Sequence, residues 1–308
     1  KCCEDPAFQY VLDIIGKTPG ELADLIEMEL NQDAEIDIDD LRLAEYRQFL
    51  NPPKDVENED FEFEIRHEPI PPVLGGLVSD VVRAVRLRQV QAIRGFTRIN
   101  PPGDLEEGNM ALLSEHKLPW LPAIEVRGEG IFVALDTEQV EIWEQGAALQ
   151  ERIQRINDDH GKAWKERHGE DAVPREISAR FLLCHTLSHI VMKQLTLECG
   201  YSSSAIQERL YADGESGEMA GFLIYTATSD ADGTLGGLQR QGRSARFGEM
   251  FVNAVRSSEW CSSDPLCIED LMGASASFSS SACHACVLAP ETACEEFNHF
   301  LDRALIVG

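Results

Sequence analysis

Residues 261–294 read CSSDPLCIEDLMGASASFSSSACHACVLAPETAC, and five of the chain's nine cysteines lie in this stretch. Their spacing is Cys261-x5-Cys267-x15-Cys283-x2-Cys286-x7-Cys294. A C-x2-C pair sets two thiolates on one tight turn, at a bite that suits tetrahedral zinc, and a second pair completes four ligands. The x5 spacing is wider than usual, so Cys261, Cys267, Cys283 and Cys286 are the preferred set and Cys294 is the alternate. His284 is adjacent, but the supply of thiolates points to a closed structural site; a catalytic one keeps a coordination position open. The expected cofactor is a structural Zn2+ that holds a fold together.

Working outward, Ile177 to Glu198 has helical periodicity through Phe181, Cys184, Leu187 and Val191, with Gly200 as C-cap. Phe222 to Thr226 reads as a buried strand feeding the glycine-bearing loop 229–237. Helices are expected at Phe247–Trp260 and Glu291–Ile306, and Ser204 with Gln207 reads as a capping box for a helix through Tyr211. Residues 275–281, rich in Ser and Ala, read as a flexible insertion between the cysteine pairs. Further upstream, residues 120–135 alternate as a β-hairpin with Gly128 and Gly130 between its arms, and Trp143–Trp164 reads as a polar-faced helix. Leu41–Leu50 reads as a helix, as does the amphipathic stretch opening at Pro19-Gly20-Glu21. The fold class is α/β (mixed α+β), with a zinc-stabilised C-terminal domain preceded by a smaller acidic α-rich region. Three parts are expected: an acidic helical region at 1–79, a mixed α/β linker or docking region at 80–175, and the zinc-binding domain at 176–308.

The chain has 308 residues with 27 Lys plus Arg against 54 Asp plus Glu, a formal charge of −27. Such a charge repels phosphate backbones, which argues against independent, high-affinity DNA binding. About half of the imbalance, −14, lies in residues 1–70, whereas positions 81–103 contain no acid. Arg83, Arg86, Arg88, Arg94 and Arg98 fall in that acid-free segment, and Arg240, Arg243 and Arg246 form a second basic group. These eight are the candidate contacts to nucleic acid or a partner; pairing with the chain's own carboxylates is the competing and favoured account. No apolar run is long enough for a membrane span. The chain opens Lys-Cys-Cys-Glu-Asp without an initiator Met or signal segment, which reads as a piece of something longer in a reducing, cytoplasmic compartment.

Cys184-His185-Thr186-Leu187-Ser188-His189 places two histidines four apart on one helical face. That is the spacing of a zincin helix, but Thr186 stands where the general-base Glu belongs. Packed core histidines are favoured over a second metal site. A metal-dependent nuclease or hydrolase using His185, His189 and Glu198 is the alternative of a different class. Gly16-Lys17-Thr18 looks like the end of a P-loop, but Val11 stands where its first Gly belongs.

Several segments together resemble the DrmB family, the non-helicase core subunit of the DISARM antiphage defence system. They are CHTLSHIVMKQLTLECGYSSSAIQERLY, IYTATSDADGTLGGL, CSSDPLC and ACHACVLAPETACEEFNHFLDRAL, with RLRQVQAIRGFTRINPP and WLPAIEVRGEGIFVAL upstream. The resemblance spans about residues 80–308. It implies a C-terminal domain shared with some superfamily-two helicases, in which four cysteines hold zinc. It also implies a non-catalytic, helicase-associated subunit that binds the DrmA helicase, reaches DNA mainly through the complex, and can meet other DISARM components.

Overall fold

The computed structural model describes residues 38–51, 63–93, 95–97, 110–114, 120–212, 217–228, 237–269 and 278–307. The helix expected from Pro19, the loop at 229–236, Arg94 and Arg98 lie outside the described residues. The chain divides into two compact units, Lys1–Ala44 and Glu45–Gly308. Helix α1 (Ile38–Leu50) ends in the second unit.

That unit is framed by strands β1 (Glu64–Glu68), β2 (Val78–Ala92), β5 (Ala123–Leu135), β6 (Gln207–Tyr211) and β7 (Gly221–Thr228). They form one antiparallel sheet in the order β1-β2-β5-β7-β6, so the sheet draws on all three of the expected parts. Strands β3 (Gly95–Phe96) and β4 (Ala111–Leu112) pair separately. Helices α2 (Thr137–Glu144), α3 (Ala147–His168), α4 (Ala179–Cys199), α5 (Gly237–Gln241), α6 (Ser244–Ser258), α7 (Leu266–Glu269) and α8 (Ala304–Val307) complete the elements. The architecture is mixed α+β, and no described helix is long and apolar enough to cross a membrane.

Helix α4 is the centre. Ser178 caps it by accepting from the Phe181 amide at 3.0 Å, and Gly200 closes it with φ of 72°. Every residue from Ala179 to Met192 is buried, because α4 packs against α6, β6 and β7 and is flanked by α2, α3 and α8. A helix enclosed on all sides needs no single apolar stripe. Strand β5 is likewise buried on both faces from Ile131 to Leu135, which explains its unbroken apolar run. Ile131, Val133 and Leu135 join the core containing Leu182, Leu187 and Phe247. Phe132 stacks on Phe49 of α1, with ring centroids 4.6 Å apart, and Tyr46 and Tyr211 meet its edges.

Several sequence expectations change. Residues 123–135 form one continuous strand, not a hairpin. Gly130 serves close packing: a Cβ there would lie 2.7 Å from the Ile224 carbonyl oxygen. Residues 207–211 are a strand because their backbone pairs with β7, which overrides the capping-box signal. The Trp143–Trp164 helix is interrupted at Gln145 and Gly146, and α2 starts earlier, at Thr137, under the cap of Asp136. Nor is Glu291–Ile306 a single helix. A 3-10 turn at Glu291–Ala293 is followed by left-handed Phe297, Asn298 and Phe300, at φ of 52°, 63° and 59°. Asn298 holds this path by donating to the Ala289 carbonyl and accepting from its amide, at 2.8 and 2.9 Å. Ser279, Ser280 and Ser281 are buried rather than part of a flexible insertion, and Ser280 bridges to Asp302.

A Cβ at Gly221 would stand 2.4 Å from the Val133 carbonyl oxygen. Gly221→Ala is expected to destabilise the fold by about 1–3 kcal/mol through overpacking, seen as a lower denaturant midpoint. Gly75→Ala meets its nearest atom at an ordinary 3.4 Å and serves as the control with an unchanged midpoint.

Candidate metal centres

Two short segments carry the preferred cysteines. Cys261 and Cys267 flank the turn between α6 and α7, and Cys283 and Cys286 lie on a turn closed by the Cys286 and Val287 amides donating to the Cys283 carbonyl. Sulfur–sulfur distances are 3.4 Å for Cys261–Cys283 and 3.6 Å for both Cys267–Cys286 and Cys283–Cys286. All four sulfurs lie within 4.8 Å of one another. Zinc–thiolate bonds of about 2.3 Å require tetrahedral edges of about 3.8 Å, so the four thiols fit the ion with a small outward adjustment.

The surroundings suit negative charge. Arg303, fully buried, donates to Asp264 Oδ1 at 2.6 Å and to the Ser258 carbonyl at 2.8 Å. Asp264 in turn accepts from the Cys261 amide at 2.7 Å and the Ile268 amide at 3.1 Å, which shapes the turn between the first two cysteines. Burial pushes the Cys283 thiol up, but hydrogen bonds from Cys261 and from the Ala285 amide outweigh it and hold Cys283 at about 7. Burial and the neighbouring Cys286 push Cys267 strongly up. Four thiols at this separation cannot all ionise without a cation among them.

Cys294 does not join this group. Its sulfur lies 3.2 Å from His185 Nε2, in a second cluster with His189 and Glu208. Glu208 Oε1 is 3.2 Å from His185 Nε2 and 3.3 Å from His189 Nε2. Burial alone would raise the Glu208 carboxyl, but the two imidazoles hold it well below the usual carboxylate range. Glu198, the third member expected for a hydrolytic site, is exposed near the end of α4 and bonded to Gln194. The His185, His189 and Glu198 triad is therefore not assembled, because two and a half helical turns separate Glu198 from His189. Thr186 accepts from the Asp302 amide at 3.0 Å and so has a structural task. Glu208 carries no ligand signal in the sequence, where Ser204 and Gln207 point to a helix; Asp264 has one in the Asp-Pro turn between two cysteines, and Arg303 has none.

Among the arginines, Arg83 is buried, with Nε 2.6 Å from Glu68 and Nη1 2.6 Å from Gln239. Arg88 is exposed but pairs with Glu125 at 2.7 Å. Arg86, Arg240, Arg243 and Arg246 are exposed. The last three cluster around the junction of α5 and α6.

Residues 187–287 match the family model of the MrfA Zn-binding domain, a span that includes all four clustered cysteines. Structural zinc is the cofactor of this domain. The DISARM protein DrmB of Bacillus paralicheniformis is 34% identical over 286 residues, 90% of this chain and 49% of that protein. The chain resembles DrmB. The resemblance read from the sequence is thus borne out, and extends further toward the N-terminus than residues 80–308. The chain spans about half the length of this curated relative.

The charged shell around the thiols makes a testable difference. Arg303→Met is expected to weaken zinc retention 10- to 100-fold, roughly the usual effect of losing an outer-shell partner, measured as competition against a colorimetric chelator. Cys199→Ser, outside both clusters, is expected to leave it unchanged.

Proposed function

We propose that this chain acts as a non-catalytic, helicase-associated subunit of a bacterial DISARM antiphage complex, in the cytoplasm, binding the DrmA helicase and assisting its engagement of DNA. The likeness to DrmB over 90% of the chain carries this reading. Cys261, Cys267, Cys283 and Cys286 are the assigned zinc ligands, and four thiolates complete a tetrahedron, leaving no position for a substrate. Such a site supports a scaffold.

Two surfaces fit contacts to a partner and to nucleic acid. At the distal ends of β2 and β5, Val90, Ile93, Trp120 and Ile124 are exposed, and apolar groups gathered at one end of a ribbon are suited to covering by another protein. Arg240, Arg243 and Arg246, with Arg86 and Arg88 on the sheet, offer a limited cationic contribution; Arg83 supports the sheet from within. A net charge of −27 makes that contribution dependent on a more basic partner.

Co-expression with the neighbouring helicase is expected to give a stable complex that binds DNA more tightly than the isolated chain at physiological salt. Equal binding by the isolated chain would sink the partner-dependent reading. Nicking of plasmid DNA by the isolated chain in Mg2+ or Mn2+, lost in Cys283→Ser without loss of folding, would favour a nuclease instead.

A further inference from the structure

We propose that His185, His189, Glu208 and Cys294 form a second, closed zinc site that staples the C-terminal segment to α4 and β6. This inference is independent of the helicase reading. The four side chains are 0%, 1%, 2% and 5% exposed, and their donor atoms all lie within 4.8 Å of one another. Zinc bonds of about 2.0–2.3 Å to nitrogen, oxygen and sulfur give tetrahedral edges of about 3.3–3.6 Å. The separations of 3.2 Å from His185 to Cys294, 3.2 Å from His185 to Glu208 and 3.3 Å from His189 to Glu208 are close to those edges.

Ordinary hydrogen bonding leaves this cluster poorly satisfied. His189 Nδ1 lies 3.0 Å from the Val287 carbonyl oxygen, which can only accept, so Nδ1 carries the proton. In the neutral ring Nε2 is then a bare lone pair aimed at the Glu208 carboxylate oxygen, which also only accepts. A cation between them removes the conflict, and the Val287 contact is the outer-shell bond that orients a metal-bound imidazole. His185 aims Nε2 at the same carboxylate oxygen and at the Cys294 sulfur, while its buried Nδ1 has no partner among the described residues.

The outer contacts orient the remaining donors. Ser188 Oγ donates to Glu208 Oε2, the Glu295 amide reaches Oε1 at 3.3 Å, and the Asn298 amide donates to the Cys294 sulfur at 3.2 Å. Mixed imidazole, carboxylate and thiolate donors suit zinc rather than calcium or magnesium, which take oxygen. With two neutral imidazoles, one carboxylate and one thiolate, the ion's double charge is cancelled, and a neutral unit is the least costly to bury. Four buried protein ligands, which fill a tetrahedron, make the site structural, not hydrolytic.

Metal analysis of the purified protein is expected to find two zinc ions per chain, and X-ray absorption to find about 2.5 sulfur and 1.5 nitrogen or oxygen neighbours per zinc, averaged over both sites. Cys294→Ser is expected to halve the zinc content. Cys286→Ser is expected to do the same while leaving a nitrogen-rich shell. If Cys294→Ser does not fold, the shell of the unaltered protein decides. One zinc per chain after incubation with excess zinc, or a shell of sulfur alone, would overturn the proposal and leave a metal-free His189–Glu208 ion pair.

Discussion

A helix buried on every side cannot leave its polar side chains unpartnered, since each such group costs about 1–3 kcal/mol. Helix α4 carries Arg180, His185, Thr186, Ser188 and His189 in its enclosed stretch, and much of the surrounding structure answers them. Arg180 pairs with Glu144 of α2 and reaches the Gly217 and Met219 carbonyls. Thr186 takes the Asp302 amide, Ser188 reaches Glu208 of β6, and His189 meets Val287. The helix thereby positions the sheet's last strand and the chain's C-terminal segment at once. Its central place also puts the two candidate metal clusters on connected parts of the structure, since Val287 follows Cys286 directly.

The C-terminal segment shows how far tertiary ties can replace regular structure. Non-glycine residues at positive φ cost roughly 1–3 kcal/mol each and persist only where their surroundings over-determine them. Phe278, Ser281, Phe297, Asn298 and Phe300 are all of this kind. Asn298 bonds back to Ala289, Ser279 donates to the Asn298 carbonyl, and Asp302 is gripped by Arg152 of α3. His160 of α3 meets Phe278 and Phe300 edge to face, with ring centroids 5.1 and 5.0 Å apart. Metal ligation fits this design, because a short irregular segment gains most from a few strong, directional links.

Much of this was legible along the chain. The α4 boundaries, the buried strand at Phe222–Thr226 and the helix from Phe247 follow from apolar runs and capping residues that act within a few positions. The zinc chemistry was legible because paired cysteines on short turns declare it by spacing, although spacing left Cys294 as an alternate ligand. The single-helix reading of Glu291–Ile306 failed because periodicity there competes with Asn298, Asp302 and Cys294, each tied to distant residues. Strand β6 was misread for a similar reason: pairing with β7 outweighs a local cap.

Composition and spacing by themselves determined the acidic surface, the four-thiol zinc chemistry and the likeness to DrmB, since each is a property of neighbouring residues or of their order. Only the tertiary structure decided that Cys294 leaves the thiol group for His185, that Glu208 and not Glu198 faces the histidines, and that Arg83 is inside the fold. Those outcomes join residues as much as 109 and 156 positions apart. Contacts at that range follow from which surfaces α4 and the sheet bury against each other, and no local pattern encodes them.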